Sequence, residues 1–117
     1  MRLKMTLWDA ILIATLVDNP ATRYFISLLP LMVNLDDYSN SEKIFYPSKN
    51  FQPKMLFGIN VTSGDIAYYS TWGNIAIFHK DFGYSTGLVK VGRIESNFDV
   101  LKKSSSINNV KFELQGD

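Results

Sequence analysis

The sequence predicts a mainly β protein in which an antiparallel sheet closes into a barrel, accompanied by two short helices. About seven or eight short stretches alternate apolar and polar residues or are apolar throughout, which is typical of strands. Hydrophobic residues make up 46% of the chain and charged residues 20%, the balance of a globular protein. Closure is favoured because a small sheet of many strands otherwise leaves exposed edges.

Length, charge and cysteine content bound the classes of function. We expect one domain over residues 1–117, a length that can build a core without metals or disulfides. The chain has no cysteine, which excludes disulfides and thiolate chemistry and suits the cytoplasm, where we place the protein. The net charge is +1 and the basic residues are scattered, so we expect no nucleic-acid partner. The apolar run at residues 10–17 is too short to span a membrane, so we expect no membrane partner.

The chain opens with a predicted strand pair. Residues 3–7 alternate apolar and polar side chains, which indicates a half-buried strand. Trp8 and Asp9 are just sufficient for a two-residue turn. Residues 10–17 are apolar and rich in β-branched side chains, so we expect a second strand buried on both faces.

A helix follows this pair. Asn19 can cap it, and Pro20 suits the first helical position. Pro30 ends a helix of about ten residues. One apolar stripe faces the core in this helix, formed by Ala21, Phe25, Leu28 and Leu29.

The middle of the chain contains two further strands and a long connection. Residues 31–35 alternate, and a shorter strand at residues 43–46 follows a turn at residues 39–41. Residues 47–64 hold two prolines and two glycines with little periodicity, which predicts a long loop. Loops of this length are often binding elements or lids, so we expect residues 47–64 to form a movable wall of a site.

The most informative segment is residues 64–78. It predicts a strand at residues 66–69, a tight corner at residues 72–74 and a strand at residues 75–79, with large rings near the corner. Residues 81–87 then form a predicted glycine-bounded loop.

The last part of the chain predicts two strands and a helix. A strand starts at Leu88, and Gly92 with Arg93 breaks its alternation as a bulge would. Ser96 and Asp99 have the spacing of a capping box, which indicates a second short helix that runs to residue 103. Residues 110–114 alternate again and predict a closing strand.

Several motifs, taken in order, resemble the small bacterial cyclophilin-like domain proteins. They are TLVDNPATR at residues 15–23, LLPL at 28–31, DY at 37–38, EKI at 42–44, GDIAYYSTWGNIAIF at 64–78 and FGYSTGLVKVGRI at 82–94. The resemblance implies a cyclophilin-like fold, a closed antiparallel barrel with helices over its ends, in a family mostly of unknown function. Thr71 stands where such proteins commonly have proline, and His79 stands where they often have tyrosine.

The resemblance does not bring a catalytic residue with it. Prolyl isomerases of the cyclophilin type use an arginine within a Phe-His-Arg pattern. The corresponding residues 42–47, EKIFYP, contain no arginine. We therefore assign no catalytic residue and keep a divergent isomerase as an alternative.

Most of the candidate binding residues gather around two consecutive loops. Aromatic rings with polar edges can wall a pocket for a peptide or a small molecule, and an amide can satisfy the ligand's backbone groups. The same rings could instead fill the core, although we expect Trp72 and Tyr84, which lie beside glycines, to be partly exposed. The candidates are Trp72, Asn74, Phe82, Tyr84, Tyr69, Glu42 and Arg23.

The charged residues have plainer interpretations. His79 could act as a general base, but no partner pattern accompanies it. Arg23 or Arg93 could anchor a carboxylate, or could form an ion pair with Glu42 or Glu95. The spacing of the acidic residues matches no metal loop, so we expect neither a metal nor a cofactor.

These observations favour a non-catalytic binding module for a peptide segment or a small molecule. The alternative is a divergent prolyl isomerase or another small enzyme that uses His79 and Glu42 in the same pocket. A third possibility is an assembly domain that pairs through an exposed strand edge. We expect a monomer or a weak homo-oligomer.

Overall fold

The computed structural model describes residues 1–47, 58–95 and 97–115. This part of the chain contains one α-helix, α1 (Pro20–Ser27), and a 3₁₀ helix (Phe98–Lys103). It also contains the strands β1 (Arg2–Leu7), β2 (Ala10–Leu16), β3 (Leu31–Tyr38), β4 (Glu42–Phe45), β5 (Gly58–Val61), β6 (Asp65–Tyr69), β7 (Asn74–Phe78), β8 (Gly83–Thr86), β9 (Leu88–Ile94) and β10 (Ser106–Gln115).

Eight of these strands close into an antiparallel barrel, in the order β1-β10-β3-β4-β7-β6-β9-β2. The remaining two, β5 and β8, pair with each other as a two-stranded ribbon. The predicted fold class, a closed antiparallel barrel with two short helices, is confirmed.

The first strand pair has the predicted two-residue turn, with Leu7 opposite Ala10 and Trp8 at a φ of 53°. The prediction that β2 is buried on both faces is wrong. Leu12 faces the interior, whereas Ile11 on the other face is 52% exposed. The strand borders the barrel interior on one side only, and its β-branched outer residues reflect strand propensity rather than burial.

Helix α1 begins as predicted. The side chain of Asn19 accepts a hydrogen bond from the amide of Thr22 at 2.9 Å, and Pro20 follows the cap. The helix is eight residues long, shorter than predicted. Phe25 is fully buried, and its ring meets that of Phe112 on β10 edge-on at 5.8 Å.

Two apolar clusters lie on opposite faces of the same strands. On β6 and β7, Ile66 and Ile75 point into the main core inside the barrel. Ala76 and Phe78 point outward into a smaller cluster, to which Val61 of the ribbon contributes. Strand β7 is therefore buried along its whole length, because the barrel core covers one face and the ribbon helps to cover the other.

The ribbon corrects two loop predictions. Strand β5 lies within residues 47–64, and β8 lies within residues 81–87. Both strands are short and rich in glycine and polar residues, so their local pattern is that of turns, and only their mutual pairing makes them strands. The middle of the predicted movable wall, residues 48–57, lies outside the described residues.

The second helix and the bulge also differ from expectation. The helix is of the 3₁₀ type, and Asn97 precedes it with a φ of 65° and no capping hydrogen bond from its side chain. Ser96, the first residue of the predicted capping box, lies outside the described residues. The irregularity in β9 falls between Lys90 and Gly92, one position before the predicted site.

Candidate binding site

A cavity of about 200 Å³ lies on the outer face of the barrel, beside the ribbon. Its walls come from the outward side chains of β3, β4, β6, β7 and β9 and from the corner between β6 and β7. Tyr46 after β4, Phe82 before β8 and Ser85 within β8 complete them. The cavity borders the smaller apolar cluster, because Phe78 and Leu88 belong to both. It therefore lies outside the barrel and not in its interior.

The walls are mostly aromatic. The Trp72 ring meets Tyr69 edge-on at 6.5 Å, and Phe82 lies 5.8 Å from Phe78. Phe78 is buried and forms the floor, whereas Trp72 is 61% exposed and stands at the rim. Six aromatic residues line the cavity: Tyr38, Tyr46, Tyr69, Trp72, Phe78 and Phe82.

Glu42 supplies an acidic group to this aromatic surrounding. It is the first residue of β4, lies opposite Phe78 of β7 and is 5% exposed. Among the described residues, the hydrogen bond that its carboxyl accepts is a long one, 3.4 Å from Ser41 Oγ, and no cation lies within 4 Å. Burial, with a smaller contribution from the charge of Asp37, raises the pKa of Glu42 to about 7. A buried carboxyl of this kind is typical of functional sites.

Asn74 supplies a second polar group. It follows Gly73, whose φ of 72° makes the tight corner, and it begins β7. Its side chain is buried, and Oδ1 has no hydrogen-bond partner among the described residues. An unpaired buried carbonyl costs about 1–3 kcal/mol, so a ligand that donates a hydrogen bond here would recover that free energy.

The strand register sets the distance between these two groups. Glu42 lies opposite Phe78, which is four residues along β7 from Asn74. At about 3.3 Å per residue, this separation is roughly 13 Å along the strand. Glu42 and Asn74 therefore occupy strand positions at opposite ends of the cavity lining.

The structure brings five of the seven candidate residues together. Ser85 and Leu88 complete the lining beside the aromatic residues. Sequence reasoning missed Tyr38, Tyr46 and Phe78, although the position of the two tyrosines beside the EKIF strand was a usable signal. The five that meet are Glu42, Tyr69, Trp72, Asn74 and Phe82.

Tyr84 and Arg23 are not among the lining residues. Tyr84 is 63% exposed, as predicted, but successive side chains of β8 point to opposite faces, and its neighbour Ser85 is the one at the cavity. The Tyr84 hydroxyl instead lies 2.6 Å from the position that a Cβ on Gly58 would take. Arg23 is exposed on α1 and pairs with Asp18. The expected ion pair of Arg23 with Glu42 or Glu95 is therefore wrong.

His79 belongs to a different cluster. Its Nε2 lies 3.2 Å from Asp37 Oδ1, and Lys43 Nζ donates to the same oxygen at 2.9 Å. Lys43 also donates to the carbonyl of Ser104 at 2.6 Å. Burial alone would raise the pKa of Asp37, but the hydrogen bonds from Lys43 and His79 lower it. His79 does not line the cavity, and this buried cluster connects β3 and β4 to the segment before β10.

The described residues contain no group of three His, Cys, Asp or Glu side chains that could hold a metal ion. Within the same ranges, no helix has the length and apolar character needed to cross a membrane. The polar groups among the lining side chains are the Glu42 carboxyl, the Asn74 amide, the Ser85 hydroxyl and the polar edges of the tyrosine and tryptophan rings.

Comparison with known proteins identifies the fold family. The model of the cyclophilin-like family matches residues 5–113. The solution structure of a hypothetical protein from Archaeoglobus fulgidus aligns with a TM-score of 0.72 over 97% of this chain and 93% of that chain, at 19% identity. At that identity the likeness shows the fold alone. Comparison with curated proteins gives no significant match.

Proposed function

The chain belongs to the cyclophilin-like family, and we propose that it is a non-catalytic binding module that holds a peptide segment or a small molecule in the outer-face cavity. The observation that carries this proposal is the combination of aromatic walls with two buried polar groups, Glu42 and Asn74, which lack strong partners among the described residues. Burying such groups costs free energy because they lose their hydration. A bound ligand that pairs with them offsets this cost.

The volume limits what can bind. Sites for drug-sized ligands measure about 300–1,000 Å³. A cavity of about 200 Å³ suits a single side chain of a peptide or a small unbranched molecule. The exposed rim residues Trp72 and Phe82 would contact the rest of a peptide.

The isomerase alternative has less support. Prolyl isomerisation needs a group that acts on the amide whose resonance sets the rotational barrier. No arginine lines the cavity within the described ranges, and His79 is directed to Asp37. The unknown peptide or small ligand, the exclusion of nucleic acid and membrane, the cytoplasmic location and the monomeric or weakly oligomeric state stay predictions.

Substitution of the two tryptophans tests the proposal. Trp72→Ala removes a rim ring of the cavity, and Trp8→Ala removes an exposed ring from the β1–β2 turn. In amide-shift titrations with a short Ala-Pro-containing peptide, we expect Trp72→Ala to weaken binding about tenfold and Trp8→Ala to leave it unchanged. Thermal unfolding should show that Trp72→Ala retains the fold.

Four results would count against the binding module. Equal effects of the two substitutions, or peptide-induced shifts remote from Trp72 and Asn74, would remove the site from this cavity. Unfolding of the Trp72→Ala variant would show that the ring serves packing. Faster cis–trans exchange of the peptide's proline, measured by exchange spectroscopy, would instead establish the isomerase.

A further inference from the structure

We propose that the ligand of the outer-face cavity is an elongated primary amine, which presupposes the binding function proposed above. Its ammonium group would pair with the Glu42 carboxylate at one end, and its alkyl chain would lie along the aromatic floor. A second N–H group would donate to Asn74 Oδ1 at the other end. This chemistry occurs in a lysine residue of a peptide and in a free α,ω-diamine.

The charge of the lining selects a cation. Glu42 is the one charged side chain among the described residues that line the cavity, and neither lysine, arginine nor histidine accompanies it there. The nearby cation Lys43 is already engaged by Asp37 and two backbone carbonyls. An ammonium ion on the ligand would therefore supply the missing partner of a buried carboxylate, and an anionic ligand would be repelled.

The rings at the Glu42 end reinforce this preference. Tyr38 lies directly opposite Glu42 in the β3–β4 register, and Phe78 lies opposite it on β7. Both rings line the cavity, together with Phe82. The faces of aromatic rings attract ammonium groups, with about 0.5–2 kcal/mol per contact.

The separation of the two polar groups sets the ligand's length. Side chains stand roughly perpendicular to a sheet, so the polar ends of Glu42 and Asn74, which face the same side, are about as far apart as the roughly 13 Å between their strand positions. Two hydrogen bonds of about 2.9 Å occupy nearly half of this distance. A chain of about five carbon atoms spans the remainder. In lysine, five carbon atoms separate the backbone nitrogen from Nζ, and five separate the two nitrogens of 1,5-diaminopentane. The two sources therefore present the same spacing.

The test compares three five-carbon probes and one lysine peptide by amide-shift titration at pH 8, where Glu42 is mostly ionised. They are 1,5-diaminopentane, neutral 1,5-pentanediol, dianionic glutarate and the peptide acetyl-Ala-Lys-Ala-amide. We expect at least one amine to bind at least about tenfold more tightly than the diol, with shifts at Glu42 and Asn74. Glutarate should bind more weakly than the diol.

Two variants test whether Glu42 is the source of the preference for amines over the diol. Glu42→Gln keeps the size of the side chain and removes its charge, so the amine should lose its advantage over the diol. Glu113→Gln removes an acidic group of the same kind on β10, outside the cavity lining, and should leave the advantage unchanged. The ranking of probes on the unmodified protein does not depend on either variant.

Each outcome is decisive. If the lysine peptide binds and the diamine does not, the ligand's amine belongs to a polypeptide. If only the diamine binds, the ligand is a small molecule. Both results support the proposal that the ligand is an amine. Equal or tighter binding of the diol or glutarate would overturn the amine class and leave the binding function intact. The amine class would also fall if no amine bound but the Ala-Pro peptide did. If neither bound, both proposals would fall.

Discussion

At the scale of single residues, Glu42 is the position where stability and the proposed function oppose each other. Burial raises its pKa from 4.5 to about 7, with Asp37 adding to the effect. Between about pH 4.5 and 7, the folded protein therefore keeps the Glu42 carboxyl protonated, whereas the unfolded chain has released this proton. The stability that this proton contributes is complete below about pH 4.5 and is lost as the pH rises through about 7. The loss is on the order of 3 kcal/mol at pH 8.

This linkage predicts the behaviour of Glu42→Gln. The amide needs no proton to be neutral, so the variant should be about 2 kcal/mol more stable than the unmodified protein at pH 8. At pH 4.5 the two proteins should differ by much less. Urea unfolding at both pH values measures the difference, and Glu113→Gln serves as a partly exposed control with no such change. A gain in stability that is the same at both pH values would show that the Glu42 carboxyl is not desolvated.

The sequence predicts a residue of the candidate site only where its neighbours along the chain show which face of the strand it occupies and what it contacts. The corner residues Trp72 and Asn74 were found because a glycine between two strands gathers neighbouring side chains. Tyr84 lies outside the cavity lining, and the sequence does not indicate this because alternation along β8 matters only once that segment is known to be a strand. The contact of Lys43 with Asp37 had no local signal, since it depends on a register between β3 and β4 that the sequence does not display.

At the scale of elements, close approach between strands determines where glycine is required. The irregularity in β9 brings Gly92 against β2, where an added Cβ would lie 2.5 Å from the carbonyl oxygen of Thr15. Backbone oxygen cannot move aside as a flexible side chain can. Glycine is therefore required at position 92 because a side chain has no room there, and not because of the backbone conformation.

Gly92→Ala is accordingly expected to destabilise the protein by about 3 kcal/mol, because β2 and β9 must separate. Gly73→Ala is the matched comparison. Gly73 has a φ of 72° but open space around it, so that substitution should cost only about 1 kcal/mol of backbone strain. Urea unfolding of both variants shows which substitution lowers the free energy of unfolding more. A larger loss for Gly73→Ala would show that turn conformation, and not the β2–β9 approach, limits stability.

Most barrel elements were predictable because each combines alternation with a clear terminator. Helix α1 has its Asn19 cap and Pro20, and the β6–β7 corner has Gly73. The ribbon was not predictable in this way. The four residues of β5, Gly58–Val61, are too few to show a period, so the local pattern predicts a loop. The strand character of β5 comes from pairing with β8.

At the scale of the whole molecule, the closed barrel and the ribbon are held by different means. Every barrel strand pairs on both sides, and the main core fills the interior. Strands β5 and β8 pair with each other, and the ribbon adds its apolar side chains, Val61 and Ile59, to the smaller outer cluster. We therefore expect the ribbon to open at a lower free energy than the barrel unfolds.

Hydrogen exchange tests whether the ribbon opens more readily than the barrel and whether a bound ligand holds the ribbon closed. Hydrogen-bonded amides of β5 and β8 should exchange at least about tenfold faster than those of β6 and β7, because local opening exposes them. A ligand in the cavity beside Ser85 should slow the ribbon amides, since opening would then require its release, and should leave the β1–β2 hairpin unchanged. Equal exchange in ribbon and barrel would show that both open only by global unfolding. The ribbon would then be a fixed wall, and a ligand would have to enter past the exposed Trp72 rim.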